Sequence, residues 1–331
     1  ALGRLQRRLR DESGAGQGEA ILHAWGISGL IAAGLSRRGA GRMGAVRLAT
    51  FLEMPARKHR RWVRLADRTG RRHAWRWVGG DTVVASDLVG MGIDPGRVSL
   101  IAPGIAPASL ASPVGVVDLR QSLGLADRAG PVVLLAGEGA AARHDLGLWA
   151  AAVVQTMSPQ IRAVVREHPR AALRGDFADP GVERFFLRLA DENLLRILPA
   201  EIPWARLVQA ADVVLATPDR HVPGGAILAA MAVGVPVITT PFPGAHHLVD
   251  HGRTGLVAAS ILPRAIAARL EELGTQPRLA ASLAANARAD VAVRFPANAM
   301  IEGYRGLYFG DTVGVAGRPE EVGSGNGEAP E

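Results

Sequence analysis

The sequence predicts an α/β protein built from two Rossmann-like domains, on three observations. From about Pro131 onward, short β-branched or aliphatic runs alternate with helical stretches. Those runs are apolar throughout rather than every second residue, which marks parallel strands covered on both faces. The length of 331 residues suits two domains of ordinary size.

The elements follow in order. In the C-terminal part, Val132–Ala136 reads as a buried strand and Leu146–Met157 as a helix. Ala163–Val165 and Leu194–Leu198 read as strands, with a helix near Val182–Ala190 between them. Val213–Ala216 is a strand, Gly225–Ala232 a helix and Val235–Thr239 a strand. Leu256–Ala258 is a short strand, followed by helices at about Pro263–Leu273 and Arg278–Arg294. A doubly wound sheet of this kind binds ligands at the carboxyl ends of its strands. The first part is thinner. Ile21–Leu22 reads as a strand leading into His23-Ala24-Trp25-Gly26 and a helix through about Arg37. Val46–Thr50, Thr82–Ala85 and Val98–Ile101 are further strand candidates. The domains read as residues 1–106 and 131–313, joined by a linker at 107–130 that continues the Pro/Gly-rich stretch from Pro103. Residues 314–331 have almost nothing apolar to bury and read as a disordered tail.

Composition narrows the function classes. Hydrophobic residues make up 48% and charged residues 21%, enough for real cores with an ordinary surface. No apolar run approaches the roughly 20 residues of a membrane span, and the polar, basic start is unlike a secretory signal. Cysteine is absent, which removes disulfides and thiolate metal sites and makes the cytoplasm the default location. The net charge is +7, yet Lys58 is the only lysine. An arginine monopoly beside abundant Ala and Gly points to coding bias more than to a nucleic-acid partner.

The most specific stretch runs from Ala211 to Val257: ADVVLATPDRHVPGGAILAAMAVGVPVITTPFPGAHHLVDHGRTGLV. It resembles the donor-binding segment of the large retaining glycosyltransferase family that includes sucrose synthases and bacterial mannosyl- and glucosyltransferases (family 4, group 1 type). In that family an A-D pair leads to E-G-F-G, then E-A-M-A-x-G-x-P-V, G-G-x-x-E and D-G-x-T-G-x-L/V. Ala211-Asp212, Ala230 to Val237 and Gly252 to Val257 match in register, without a gap. Weaker echoes occur at Val98–Ile105, Pro131–Arg143, His23-Ala24-Trp25-Gly26 and Phe295–Tyr308, the last resembling the family's closing helix. The family's opening strand and Gly-rich loop have no counterpart, so the N-terminal domain is expected to be truncated or divergent.

The resemblance implies two Rossmann-like domains facing a cleft (GT-B type), a nucleotide-sugar donor, and metal-independent retaining transfer with no cofactor. It also assigns positions. The family's diphosphate-binding Lys falls on Arg143 and its Arg on Glu138, which reverses the charge. Its two donor glutamates fall on His221 and Ala229, and the glutamate of G-G-x-x-E on His247. Each lost charge-assisted hydrogen bond is worth about 1.5–3 kcal/mol. His221 retains hydrogen-bonding capacity; Ala229 cannot replace a ribose clamp.

Physical reasoning adds further candidates. Pro223, Gly224 and Gly225, followed by Ala226-Ile227-Leu228, open a helix where backbone N–H groups can meet phosphate. The glycines could equally serve only to turn the chain. His23, after a strand, is a candidate acceptor-side group or general base, or else a structural histidine. His246 and His247 are neighbours and should point apart unless on a turn, and no zinc-type spacing occurs, so no metal is expected. Arg57–Arg76 carries nine basic residues with Trp62, Trp75 and Trp77 interleaved, and Asp67 as its only acid. A solvated basic face, an anionic membrane surface and nucleic-acid phosphate all fit that pattern, with nucleic acid the weakest. The function expected is transfer from a nucleotide sugar to a saccharide or lipid-linked acceptor in bacterial envelope polysaccharide biosynthesis, in the cytoplasm or at the inner membrane face. The alternative is a catalytically decayed binding or scaffold protein.

Overall fold

The computed structural model describes residues 21–35, 46–53, 57–69, 75–110, 115–126, 130–137, 140–166, 188 and 194–309. Glu138, the helix expected near 182–190 (Arg188 apart) and the tail lie outside these described residues. The chain divides into two compact units. One comprises Ala1–Phe51, Pro55–Ile101 and Glu302–Glu331; the other comprises Leu52–Met54 and Ala102–Ile301.

In the first unit the order is β1 (Ile21–Trp25), α1 (Gly26–Leu35), β2 (Val46–Phe51), α2 (Arg60–Thr69), β3 (Arg76–Gly79), α3 (Thr82–Gly90) and β4 (Val98–Leu100). The strands pair in parallel in the order β1-β2-β3-β4. Leu48, Phe51, Trp77, Val78, Val84 and Leu88 form its buried heart, with the Phe51 and Trp77 rings stacked at 6.2 Å.

Two expectations are corrected in this unit. Thr82–Ala85 is the start of helix α3 and not a strand. The β-branched run suggests a strand, but the Asp81 carboxylate caps the helix, accepting from Val84 N–H at 2.9 Å. Val84 and Leu88, four apart, then bury on one face. The second correction concerns Arg57–Arg76. Trp75 and Trp77 are core residues at 4% and 0% exposure, and Trp77 lies on strand β3. Asp67 holds Arg97 at 2.6 Å and accepts from the Trp77 indole at 3.3 Å. Only Trp62 among the three tryptophans reaches the surface. It lies on α2 beside exposed Leu65, in a shallow hollow lined by Arg61, Arg64 and Arg68.

The second unit runs through α4 (Pro107–Leu110), α5 (Val116–Ser122), β5 (Val132–Leu135), α6 (His144–Gln155), β6 (Arg162–Arg166), β7 (Leu195–Leu198) and α7 (Trp204–Ala210). It continues with β8 (Val213–Ala216), α8 (Gly225–Val233), β9 (Val237–Thr239), α9 (Ala245–Leu248), β10 (Leu256–Val257), α10 (Pro263–Thr275) and α11 (Pro277–Arg294). Helix α12 (Ala297–Phe309) follows, with its residues from Glu302 onward grouped in the first unit. Two helices, α4 and α5, thus occupy part of the stretch that reads as linker.

The six strands are parallel, in the order β10-β9-β8-β5-β6-β7. The chain moves outward from β5 to β7, returns to the other side of β5, and moves outward again from β8 to β10. That reversal is the doubly wound pattern, and its switch point lies between β5 and β8. Successive residues explain the apolar runs. Val132 and Leu134 face one core with Leu228, Met231 and Val291, while Val133 and Leu135 face the other with Leu148, Ala151 and Ile266. A central strand covered on both sides has no polar face to show.

Candidate functional site

Three pieces of the second unit meet the carboxyl ends of β5 and β8. The loop after β5 carries Arg143, the loop after β8 carries Thr217 to Pro223, and helix α8 begins at Gly225. The Thr217 hydroxyl ties the first two loops together, lying 2.8 Å from Arg143 O and 3.1 Å from Ala142 O.

Helix α8 starts without a side-chain cap. Its N-cap is Gly224, and its first helical bond is Leu228 N–H to Gly224 O at 2.9 Å. The N–H groups of Gly225, Ala226 and Ile227 therefore lie ahead of the helical ladder and point out of the positive end. The two glycines do different work. A Cβ on Gly224 would stand 2.6 Å from the Leu248 side chain, so this glycine lets the helix start pack on α9. A Cβ on Gly225 would meet nothing within 4 Å, so the space before that backbone is open. Pro223 and Gly225 are exposed and Ala226 is partly so, whereas Ile227, Leu228 and Ala229 turn their side chains into the core. From this turn a ligand would meet backbone, as at other helix N-termini that hold anions.

Arg143 sits at the entrance to α6 with φ 48° and ψ 48°, the only non-glycine residue with positive φ among those described. An arginine in the left-handed region costs roughly 1–2 kcal/mol, a strain that surrounding contacts must hold. Its backbone carbonyl is held by Thr217, and its side-chain contacts are ionic. Its Nε and Nη2 each donate to Asp145 at 3.0 Å, and its Nη1 donates to Asp219 at 2.6 Å. Asp219 also accepts from Arg220 at 3.0 Å. The hydrogen bond to Asp145 does most to hold the Arg143 proton, burial opposes it, and the bond to Asp219 adds to it, raising its pKa further above the ordinary value. Burial pushes the Asp219 carboxyl up, but the bonds from Arg220 and Arg143 outweigh it and leave its pKa below the ordinary value. Neither aspartate is evident from the sequence as a site residue. Asp145 lies only two positions from Arg143, which is the one local signal available.

His144, next to Arg143, is 5% exposed, and burial drives its pKa down to about 4. The nearby Ala136 and Gly137 backbone and the Asp145 carboxylate favour the proton but do not restore it. His221 is buried in the loop between β8 and α8. His247 is half-buried on the single-turn helix α9. Its ring does not point away from that of His246; the centroids lie 3.9 Å apart. Among the described residues no group of three or more His, Asp or Glu side chains is placed to hold a metal ion.

In the first unit, His23 lies within strand β1 and not after it, near the carboxyl end. Its Nδ1 is 2.6 Å from the Tyr308 hydroxyl and its Nε2 is 2.8 Å from the Thr50 hydroxyl. Thr50 Oγ1 is in turn 3.2 Å from the Tyr304 hydroxyl. Burial lowers the His23 pKa, so the neutral ring is favoured, with one nitrogen donating and the other accepting. Trp25, half exposed, packs at 4.6 Å from the His23 ring and 5.7 Å from Tyr304. Tyr304 and Tyr308 are four apart on α12, so one helix face supplies both hydroxyls. Sequence reasoning finds His23 but misses its partners, which lie up to 285 positions away.

Residues 201–290 match the family model of glycosyl transferases group 1. That segment is similar to group 1 glycosyl transferases. It contains the open helix start at Gly225 and the turn at Gly252 to Val257. Solved structures agree on the fold. HepE of Anabaena, solved in complex with UDP-glucose, has a TM-score of 0.74 at 20% identity, covering 92% of this chain and 80% of that one. Sucrose-phosphate synthase of Thermosynechococcus elongatus gives 0.69 at 19% identity, covering 93% and 77%. WaaG, a glycosyltransferase involved in lipopolysaccharide biosynthesis, gives 0.68 at 16% identity, covering 94% and 96%. These are GT-B glycosyltransferases, and the two parallel α/β sheets of this chain are the same architecture. No curated protein matches the chain in sequence.

Proposed function

We propose that this chain transfers a sugar from a nucleotide-sugar donor to a saccharide or lipid-linked acceptor, with retention and without a metal. The observation that carries the reading is the coincidence of two independent facts. The segment matching glycosyl transferases group 1 contains a helix N-terminus that is uncapped, open at Gly225, and set at the carboxyl edge of the sheet. Breaking the bond from sugar to diphosphate releases negative charge onto the leaving oxygen. On this reading the N–H groups of Gly225, Ala226 and Ile227, together with the Arg143 guanidinium, stabilise it. His221 and His247 take hydrogen-bonding places around the donor. His23, kept neutral by burial, serves on the acceptor side, where a hydroxyl would replace one of its present partners. Because HepE is seen with UDP-glucose, a UDP-sugar is the first donor to test. The α2 patch of Trp62 and Leu65 among arginines suits contact with an anionic membrane at its inner face.

One observation favours a second reading, a binding protein whose catalysis has decayed. Where the resemblance calls for a ribose-holding glutamate, Ala229 contributes a methyl group at 6% exposure to the core. Thermal unfolding against UDP, GDP, ADP and their sugar conjugates separates the two. A ligand that binds only the folded chain raises the midpoint. A shift with one nucleotide family, followed by transfer to an added saccharide, is the expected result. A shift without transfer supports the decayed reading, and no shift at millimolar ligand removes the donor site altogether.

A further inference from the structure

The loops at the β5/β8 switch point hold a charge arrangement that works against the anion expected there. Arg143 is bound by two carboxylates, and Asp219 by two guanidinium groups. The four side chains, Arg143, Arg220, Asp145 and Asp219, sum to zero charge. A diphosphate arriving at this edge of the sheet meets a cation that is already neutralised.

The two aspartates are not equivalent. Asp145 stands in the first turn of α6, where the helix N-terminus favours a carboxylate, and it grips Arg143 through two parallel bonds. It orients the guanidinium. Asp219 reaches Arg143 from a loop through a single bond, and its other oxygen is held by Arg220, whose side chain is 57% exposed. Rotating Asp219 away breaks one contact with Arg143 and leaves the Asp145 fork intact.

We infer that Asp219 is an internal competitor for the donor's diphosphate. It holds Arg143 and is displaced when phosphate oxygens take its place, so that it sets how tightly a nucleoside diphosphate is held. The inference rests on the proposed donor site, and its test is chosen to keep the two apart. The probes are inorganic pyrophosphate and UDP, titrated calorimetrically into the full chain and into Asp219→Asn, Asp219→Ser and the double variant Arg143→Gln/Asp219→Asn. Circular dichroism checks that each is folded.

Freeing one charge-assisted hydrogen bond should tighten both probes by about ten- to a hundredfold in Asp219→Asn and Asp219→Ser. The double variant should lose that gain. If UDP binds the parent chain and the Asp219 variants equally, the competitor is overturned and the donor site stands. If pyrophosphate shows the gain while UDP binds nothing, the competitor stands and the nucleotide reading falls. A gain that survives in the double variant assigns the effect to Arg220 and overturns the role given to Arg143. Folded proteins that bind neither probe overturn both.

Discussion

The two candidate regions handle polar groups in opposite ways. Around His23 the partners are neutral: two tyrosine hydroxyls, a threonine hydroxyl and an imidazole whose proton is held off by burial. Around the Arg143 side chain, among the described residues, two guanidinium groups face two carboxylates. A neutral network fixes geometry and positions hydroxyl groups without attracting ions. A balanced ionic network stores charge that one displacement can release. If the second unit handles phosphate as proposed, its affinity rests on which carboxylate leaves, whereas the neutral network of the first unit suits hydrogen bonding to an uncharged group.

The largest effect should come from acid. The His144 pKa falls from 6.5 to about 4 on burial, so between those values the unfolded chain binds a proton that the folded chain refuses. Stability is then complete above about pH 6.5 and lost as pH falls towards 4, by about 3 kcal/mol in all. Denaturant unfolding of His144→Gln should show a flatter profile over that range. An unchanged slope would show that His144 does not stay neutral in the fold.

Next in size, Arg143→Gln should destabilise the chain by about 2 kcal/mol, because Asp145 loses a charged partner. Part of that cost should be offset by salt, which screens the partly exposed pair with Asp219. Tyr308→Phe should cost about 1 kcal/mol, the worth of a neutral hydrogen bond, and should not respond to salt. Equal salt responses in the two variants would erase the distinction between the regions. The smallest stability effect belongs to Gly225→Ala. Its methyl group enters open space, so unfolding should move by no more than about 0.5 kcal/mol. UDP should nonetheless bind more weakly, because the methyl stands where phosphate would approach the backbone. Unchanged UDP affinity would move the phosphate away from this helix end.

Much of the second unit was legible because its strands are covered on both faces. Val132 to Leu135 and Val213 to Ala216 are apolar at every position for that reason, and their order follows from alternation with helices. The same rule failed at Thr82–Ala85, where two valines suggested a strand and the Asp81 cap made a helix. It failed again at Trp75 to Trp77, where neighbouring arginines hid a core strand inside a basic run. At the site, the residue types at 143, 221, 229 and 247 could be read from register alone. Their surroundings could not. Asp219 lies 76 positions from Arg143, and no periodicity connects them. Nor could the sequence say that Ala229 points into the core, since helix α8 is small and apolar nearly all round.

The inward turn of Ala229 limits what can be built at this position. On an open pocket wall a carboxylate can be introduced by one substitution. Here the methyl of residue 229 is packed among core neighbours at 6% exposure. A glutamate placed at this position must first push them aside, at roughly 1–3 kcal/mol for the added bulk alone. Stability is lost before any contact with a ligand is made, so new binding chemistry is more readily built on the exposed turn at Pro223 and Gly225 than on this face of the helix.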